Sequence, residues 1–267
     1  DWDQFKNSYP RFTDVYLDKM NTASKSAGKR LLDVFDTHWY PDVPGMSTDT
    51  SKSQSFIRMQ LPRTLWDSSY KEPTWIGQYY GGVEILRSIH KSIDTYFPNT
   101  KLAVTEYSYG GANHISGGIA QADALGIFGK EKVFFASKWY DISDYLVSAY
   151  DLYLDANGKG LKFPNKGLKV HYTDYKNGSL YAAQDELKNI HLIILNKNQD
   201  DSLDINLNLD GSIDYDRYES FGFWNGQKDL VAGPKGNMKQ NELNIQVRPL
   251  SAHHVVLYQK PVHTDQV

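Results

Sequence analysis

The sequence predicts a two-part fold, a parallel α/β region followed by an antiparallel all-β region. Near-continuous apolar runs alternate with helical spacing up to about residue 160, the grammar of strand–helix units. Short alternating segments replace them beyond about residue 165, separated by Asn177-Gly178, Asp210-Gly211, Asn225-Gly226 and Gly233-Pro234. The expected boundaries are 1–160 and 161–267.

In the first part, Tyr9 to Ala27 reads as a helix, with Pro10 suited to the first turn and Gly28 to the stop. Phe12, Val15, Tyr16 and Met20 would form its packing face. Leu31 to Tyr40 reads as a strand apolar enough to be buried on both faces. Pro41 to Tyr80 carries prolines and serines and reads as a long loop, a length that usually marks function. Val83 to Phe97 returns to helical spacing through Leu86, Ile89 and Ile93, and Leu102 to Tyr107 is a second strand. Ser116 to Phe128 is a helix with Ser116 as its cap. Val133 to Trp139 is a third strand and Ser143 to Leu154 a third helix. Three parallel strands cannot close a barrel, which takes about eight, so strands 31–40 and 133–139 would carry open edges.

In the second part, seven short strands are expected at 168–172, 179–183, 191–196, 202–209, 217–224, 242–247 and 254–258. Their number and punctuation suit an antiparallel β-sandwich.

Composition narrows the function classes. The chain has 267 residues, a formal net charge of −3 and scattered lysines. That gives no footprint for nucleic acid or an anionic membrane surface. No apolar run approaches the roughly 20 residues of a bilayer span. Cysteine is absent, which excludes disulfides, thiolate metal sites and a cysteine nucleophile. The start at Asp1-Trp2-Asp3, without methionine, suggests a processed N-terminus. Aromatic residues are abundant, with 19 Tyr, 11 Phe and 6 Trp. Several sit in polar company, as in Thr37-His38-Trp39-Tyr40, Gln78-Tyr79-Tyr80-Gly81 and Glu106-Tyr107-Ser108-Tyr109. Such rings serve cores and interfaces, and beside carboxylates they also suit the apolar faces of sugars.

Chemistry in parallel α/β barrels gathers at the C-terminal ends of strands. Those ends here are Asp36-Thr37-His38-Trp39-Tyr40, Thr105-Glu106-Tyr107 and Lys138-Trp139-Tyr140-Asp141. Glu106 ends an apolar strand and precedes Tyr-Ser-Tyr-Gly-Gly. A glutamate so placed serves either as a reacting carboxylate or in a structural ion pair. His38 reads as a hydrogen-bonding residue rather than a metal ligand, and His114 as either a substrate donor or a loop organiser. The eight histidines show no metal-ligand spacing. Asp155-Ala-Asn157-Gly158 resembles the opening of a calcium loop without the closing glutamate, and a turn at a helix end explains it.

At these residues the chain resembles glycoside hydrolase family 44, the bacterial endoglucanases and xyloglucanases. The matching runs are Leu-Leu-Asp-Val-Phe-Asp-Thr-His-Trp-Tyr-Pro (31–41), Leu-Pro-Arg-Thr-Leu-Trp-Asp (61–67), the glycine-rich run 101–129 that begins Lys-Leu-Ala-Val-Thr-Glu-Tyr, and Pro-Leu-Ser-Ala-His-His-Val-Val-Leu (249–257). The resemblance implies the last three units of a (β/α)8 barrel followed by a β-sandwich. It also implies retaining cleavage of β-1,4-glucans with Glu106 as nucleophile.

The family's acid/base glutamate lies in an Asn-Glu-Pro motif that this sequence lacks. The expected partner is therefore the N-terminal half of the same enzyme, as a separate chain, and this chain by itself should not turn over substrate. Expected substrate contacts are His38, Trp39, Tyr40, Trp66, Tyr107, Tyr109, His114 and Trp139. The family implies a secreted enzyme acting on a β-glucan polysaccharide or oligosaccharide, with no required cofactor, no catalytic metal and room for a structural calcium. The competing reading is a non-catalytic carbohydrate-binding protein with a degenerate barrel.

Overall fold

The computed structural model describes residues 2–140, 142–239 and 241–261. Along the chain run α1 (Phe12–Ala27), β1 (Val34–Trp39), α2 (Lys52–Gln60), α3 (Trp75–Tyr80), α4 (Ile85–Tyr96), β2 (Lys101–Tyr107), α5 (Ile115–Lys130), β3 (Phe135–Ala136) and α6 (Tyr145–Leu154). Strands follow: β4 (Lys166–Leu168), β5 (Gly178–Gln184), β6 (Ile190–Asn196), β7 (Leu203–Asn208), β8 (Tyr215–Trp224), β9 (Gln227–Ala232), β10 (Gly236–Asn237), β11 (Glu242–Val247) and β12 (Ser251–Gln259). These elements form two compact units. The first holds residues 1–44, 61–108 and 130–140, and the second holds 45–60, 109–129 and 141–267.

In the first unit, β1, β2 and β3 form a parallel sheet with β2 in the centre. β2 buries Leu102, Ala103 and Val104, as expected of a strand with neighbours on both sides. β1 is less buried than its apolar sequence suggests. Asp36 and His38 are exposed because β1 is an edge strand with an alternating pattern.

α1 ends at Gly28 in the left-handed region (φ 64°), where Gly28 N–H and Lys29 N–H donate to Lys25 and Ser24 carbonyls. Its buried side chains are Asp14, Val15, Leu17 and Ser24, whereas Phe12 and Tyr16 of the expected packing face lie exposed. α4 buries Leu86, Ile89 and Ile93 as its spacing predicts and packs on α1.

The segment expected to be a long loop is instead partly helical. α2, a 3-10 turn at Leu61–Leu65 and α3 fall within 41–80. Met59, Leu61 and Leu65 are fully buried there. Apolar burial overrode the polar appearance of the flanking serines and prolines.

The second unit is mainly antiparallel. A seven-stranded sheet runs β10-β8-β12-β6-β5-β4, with β9 on β8, and β7 pairs with β11 in a separate ribbon. The sequence located most of these strands but not β9 or β10, and β4 ends at Leu168, where the expected strand 168–172 begins. The β8–β9 hairpin turns at Asn225-Gly226, where Gly226 has φ 86°. β9 escaped because Gln-Lys-Asp-Leu-Val-Ala carries too few apolar residues to signal a strand.

One face of the large sheet (Ile193, Leu195, Phe223, Ala252) packs on α5 and α6 through Ile115, Ile119, Tyr145, Ala149 and Leu152. The other face (Leu192, Ile194, Val255, Leu257) packs on the ribbon through Ile205, Leu243, Ile245 and Val247. β6 is therefore buried along its whole length. Each fully buried Leu or Ile side chain there contributes roughly 1.5–3 kcal/mol.

Candidate active site

Glu106 lies at the C-terminal end of β2, in register with His38 of β1, and Trp39 is in register with Tyr107. Past a register shift between Thr37 and His38, the alternate residues His38 and Tyr40 reach the same carboxylate. Tyr40 Oη donates to Glu106 Oε2 at 3.1 Å. His38 Nδ1 lies 3.3 Å from the same oxygen. Both contacts fall on Oε2.

Burial, then the hydrogen bond to Glu106, pushes the Tyr40 phenol up to about 12. Tyr40 therefore stays a donor at any working pH. The Glu106 side chain is 28% exposed and that of His38 50% exposed, so the carboxylate is held by neighbours yet open to a ligand.

The surrounding residues of the first unit complete this strand-end cluster. Thr105 N–H and Oγ1 donate to Asp36 at 3.1 and 2.5 Å, locking β1 to β2 just before Glu106. Trp39 Nε1 donates to Thr64 Oγ1 at 2.9 Å, so its ring is fixed but only half buried. Trp139 N–H donates to the Tyr107 carbonyl at 3.0 Å, extending the β2–β3 pairing past β3. The expected strand 133–139 shortens to Phe135–Ala136, and Trp139 and Tyr140 stand exposed with their rings edge to face.

A second aromatic group lies on α3: Trp75, Tyr79 and Tyr80 are all strongly exposed, and the Tyr80 ring contacts both others. Asp42 anchors it by accepting from Trp75 Nε1 at 2.5 Å. Buried Glu72 accepts in turn from Asp42 N–H at 2.9 Å and Thr74 Oγ1 at 2.7 Å.

Not every expected contact residue has an open face. Trp66 is buried in the first unit, with the Lys130 ammonium 3.9 Å and the Arg87 guanidinium 5.1 Å from its ring centroid. Tyr107 and Tyr109 are also buried, at 1% and 2% exposure. These three rings pack; they present no surface on which a sugar could stack.

His114 belongs to the second unit, where it precedes α5. Its Nδ1 accepts from Ser116 N–H at 3.3 Å and lies 2.9 Å from Ser116 Oγ. The imidazole thus does the capping that Ser116 was expected to do, as a loop organiser would. Burial, then Arg58, lowers its pKa, so the neutral ring that an acceptor role needs prevails. Ser116 Oγ instead accepts from buried Arg58 at 2.7 Å, and Arg58 also donates to the Met46 and Asp49 carbonyls. Gly111 (φ 64°) lets the backbone approach that guanidinium. A Cβ there would lie 2.7 Å from Arg58 Nε. The glycines after Tyr109 serve close packing.

Asp36, Glu72, Trp75 and Tyr140 are not among the expected site residues. Tyr79 and Tyr80 left a readable trace as an aromatic pair, and the Asp36–Thr105 and Asp42–Trp75 pairs, 69 and 33 residues apart, left none. Among the described residues, no three His, Asp or Glu side chains gather as a metal site. In the Asp155–Asn157 turn, the side-chain oxygens accept from the backbone N–H groups of Gly160, Lys159 and Leu161.

The family model for glycoside hydrolase family 44 matches residues 1–43. Endoglucanase A of Paenibacillus lautus is 40% identical over 285 residues, covering 100% of this chain and 40% of the relative. A xyloglucanase of family 44 from Paenibacillus polymyxa superposes with a TM-score of 0.92 at 39% identity, over 96% of this chain and 52% of the other. The chain belongs to glycoside hydrolase family 44. The family 44 endoglucanase of Clostridium thermocellum gives a TM-score of 0.91 at 41% identity, over 97% of this chain and 53% of its own. This family 44 chain therefore spans about half the length of its solved relatives. No helix among its described residues is long and apolar enough to cross a membrane.

Proposed function

We propose that the chain supplies the nucleophile-bearing half of a secreted, retaining endo-β-1,4-glucanase acting on cellulose-type glucans and xyloglucan. In this reading residues 1–160 are the last three units of a (β/α)8 barrel and residues 161–267 a β-sandwich. The observation that carries it is Glu106 at the end of a central parallel strand, with Oε2 held by Tyr40 and His38. The family relatives named for endoglucanase and xyloglucanase activity support the substrate class.

Retaining hydrolysis uses two carboxyl groups about 5–5.5 Å apart. Glu106 Oε1 attacks the anomeric carbon while Oε2 stays hydrogen-bonded. The acid/base protonates the departing sugar oxygen, and water later releases the glycosyl-enzyme ester with the acid/base acting as base. The Asn-Glu-Pro segment expected to carry that acid/base is absent from this sequence, so the reading places it on the N-terminal half of the enzyme, outside residues 1–267. The half-buried Trp39 and the exposed Trp139 and Tyr140 rings provide apolar faces for pyranose units, and the reaction needs no cofactor.

The test assays Glu106→Gln, combined with the complementing half, on xyloglucan, carboxymethylcellulose and xylan. Loss of hydrolysis with retained glycan binding is expected. Hydrolysis at the unmodified rate removes Glu106 as nucleophile. Glycan binding without hydrolysis by the unmodified assembly favours the non-catalytic reading.

A further inference from the structure

The second unit holds a cavity of about 370 Å³ whose walls include Ser202, Trp224, Pro234, Gln246, Arg248 and His253. Its unusual member is His253. Side chains alternate along a strand, so His253 shares a face of β12 with Val255 and Leu257, both fully buried against the ribbon. Packing alone would favour another aliphatic residue there. Instead the row ends in an imidazole that is 3% exposed, with neither Nδ1 nor Nε2 hydrogen-bonded among the described residues. Buried polar atoms are nearly always paired, so two orphans on one ring mark a place where a partner belongs.

The neighbouring strand makes room for that ring. His253 is in register with Gly222 of β8, and a Cβ at 222 would lie 2.6 Å from His253 Nδ1. Trp224, two residues on, lies nearly parallel to the imidazole, with 19° between planes and 6.5 Å between centroids. The Arg248 guanidinium lies 4.1 Å from the Trp224 ring. Gln246 Nε2 donates to Asp204 Oδ1 at 2.8 Å, which leaves its Oε1 as an acceptor.

The donor and acceptor inventory selects the ligand. Burial, then Arg248, holds His253 down to about 4. At neutral pH one ring nitrogen therefore donates and the other accepts. Arg248 only donates, Gln246 Oε1 only accepts, and the Ser202 hydroxyl does either. A carboxylate or phosphate offers acceptors alone, so it satisfies the ring N–H and leaves the other nitrogen bare. A hydroxyl both donates and accepts, and a vicinal diol can bridge guanidinium and imidazole.

We propose that this cavity is a second, non-catalytic carbohydrate site, taking one neutral glycosyl unit through hydroxyls on His253, Arg248 and Gln246. The choice of a β-glucan as its natural source rests on the proposed function, whereas the preference for a neutral hydroxylated ligand rests on the cavity.

The test uses the Glu106→Gln chain, 15N-labelled at histidine, titrated with cellotetraose and a xyloglucan heptasaccharide while the ring nitrogens are followed by NMR. The expected result is a saturable shift of the His253 ring signals with either sugar, weakened about tenfold or more in Arg248→Ala, whose altered side chain is exposed. His253→Leu should keep or raise Tm and weaken sugar binding measured by calorimetry. Three outcomes overturn the site: no His253 response at saturating sugar, which leaves a hydrated cavity only; the same response to acetate or sulfate; or a sugar response unchanged in Arg248→Ala. A sugar response at His253 in an assembly that keeps Glu106 and hydrolyses no glucan overturns the enzymatic reading and leaves this site standing.

Discussion

Glu106 and Asp123 are both carboxylates hydrogen-bonded to a tyrosine, one in each unit. Glu106 accepts from Tyr40 at 3.1 Å beside a half-exposed histidine. Asp123 of α5 accepts from Tyr181 at 2.6 Å and from Lys197 at 2.7 Å, with both charged side chains 1% exposed. Burial and Asp123 hold the Tyr181 phenol well above its ordinary range. The same functional groups therefore take different roles according to solvent access. An ion pair closed on all sides fixes how α5 meets the sheet, and a carboxylate left partly open is available to react.

The largest expected effect breaks the open member. With the complementing half present, Glu106→Gly should lower hydrolysis on the order of 10⁴-fold or more. Added azide with an aryl β-glycoside should then restore turnover and yield the α-glycosyl azide. Recovery of the β-azide would contradict retention through Glu106.

Breaking the closed member should cost stability rather than chemistry. Asp123→Ala strands a buried ammonium, and such losses run about 3–5 kcal/mol, read as a fall in denaturant midpoint. Asp123→Ala combined with Lys197→Met should recover much of it. A double variant as unstable as the single one would contradict the ion-pair account.

Acidification sharpens the contrast, because other buried groups of the second unit resist protonation. Burial holds His253 and His254 down to about 4 each. The unfolded chain binds these protons near pH 6.5 and the folded one only near pH 4. Stability is therefore full above pH 6.5 and falls through that window as pH drops, on the order of 3 kcal/mol for each ring. His254 Nδ1 donates to the Leu152 carbonyl and its Nε2 lies 2.8 Å from His191 Nδ1, so His254→Gln should flatten the midpoint-against-pH curve. An unchanged curve would remove this ring as its source.

The smallest effect is on positioning. Tyr40→Phe deletes one hydrogen bond to Glu106 Oε2 and should lower kcat about tenfold with the fold intact. A change in KM alone would assign Tyr40 to substrate binding.

Much of this comparison was legible in the residue order. The apolar run before Glu106 and the glycine after α1 are local signals, and β2 and the end of α1 lie where those signals put them. The spacing of Leu86, Ile89 and Ile93 worked the same way. Asp123 drew no attention, because its partner Lys197 is 74 residues away and each reads as an ordinary surface charge. Residues 41–80 were misread for a related reason. Helix-forming positions such as Met59 and Leu65 become evident only once their burial is known.

The sequence by itself determined the two periodicities, the turn positions and the carboxylate that ends β2, since each depends on neighbours a few residues apart. Tertiary structure alone decided which aromatic rings stay open. Trp139 and Trp66 look alike in sequence, yet one stands exposed while the other is buried beside Lys130 and Arg87. The physical reason is that solvent access belongs to the packing of distant segments, and no window along the chain contains it.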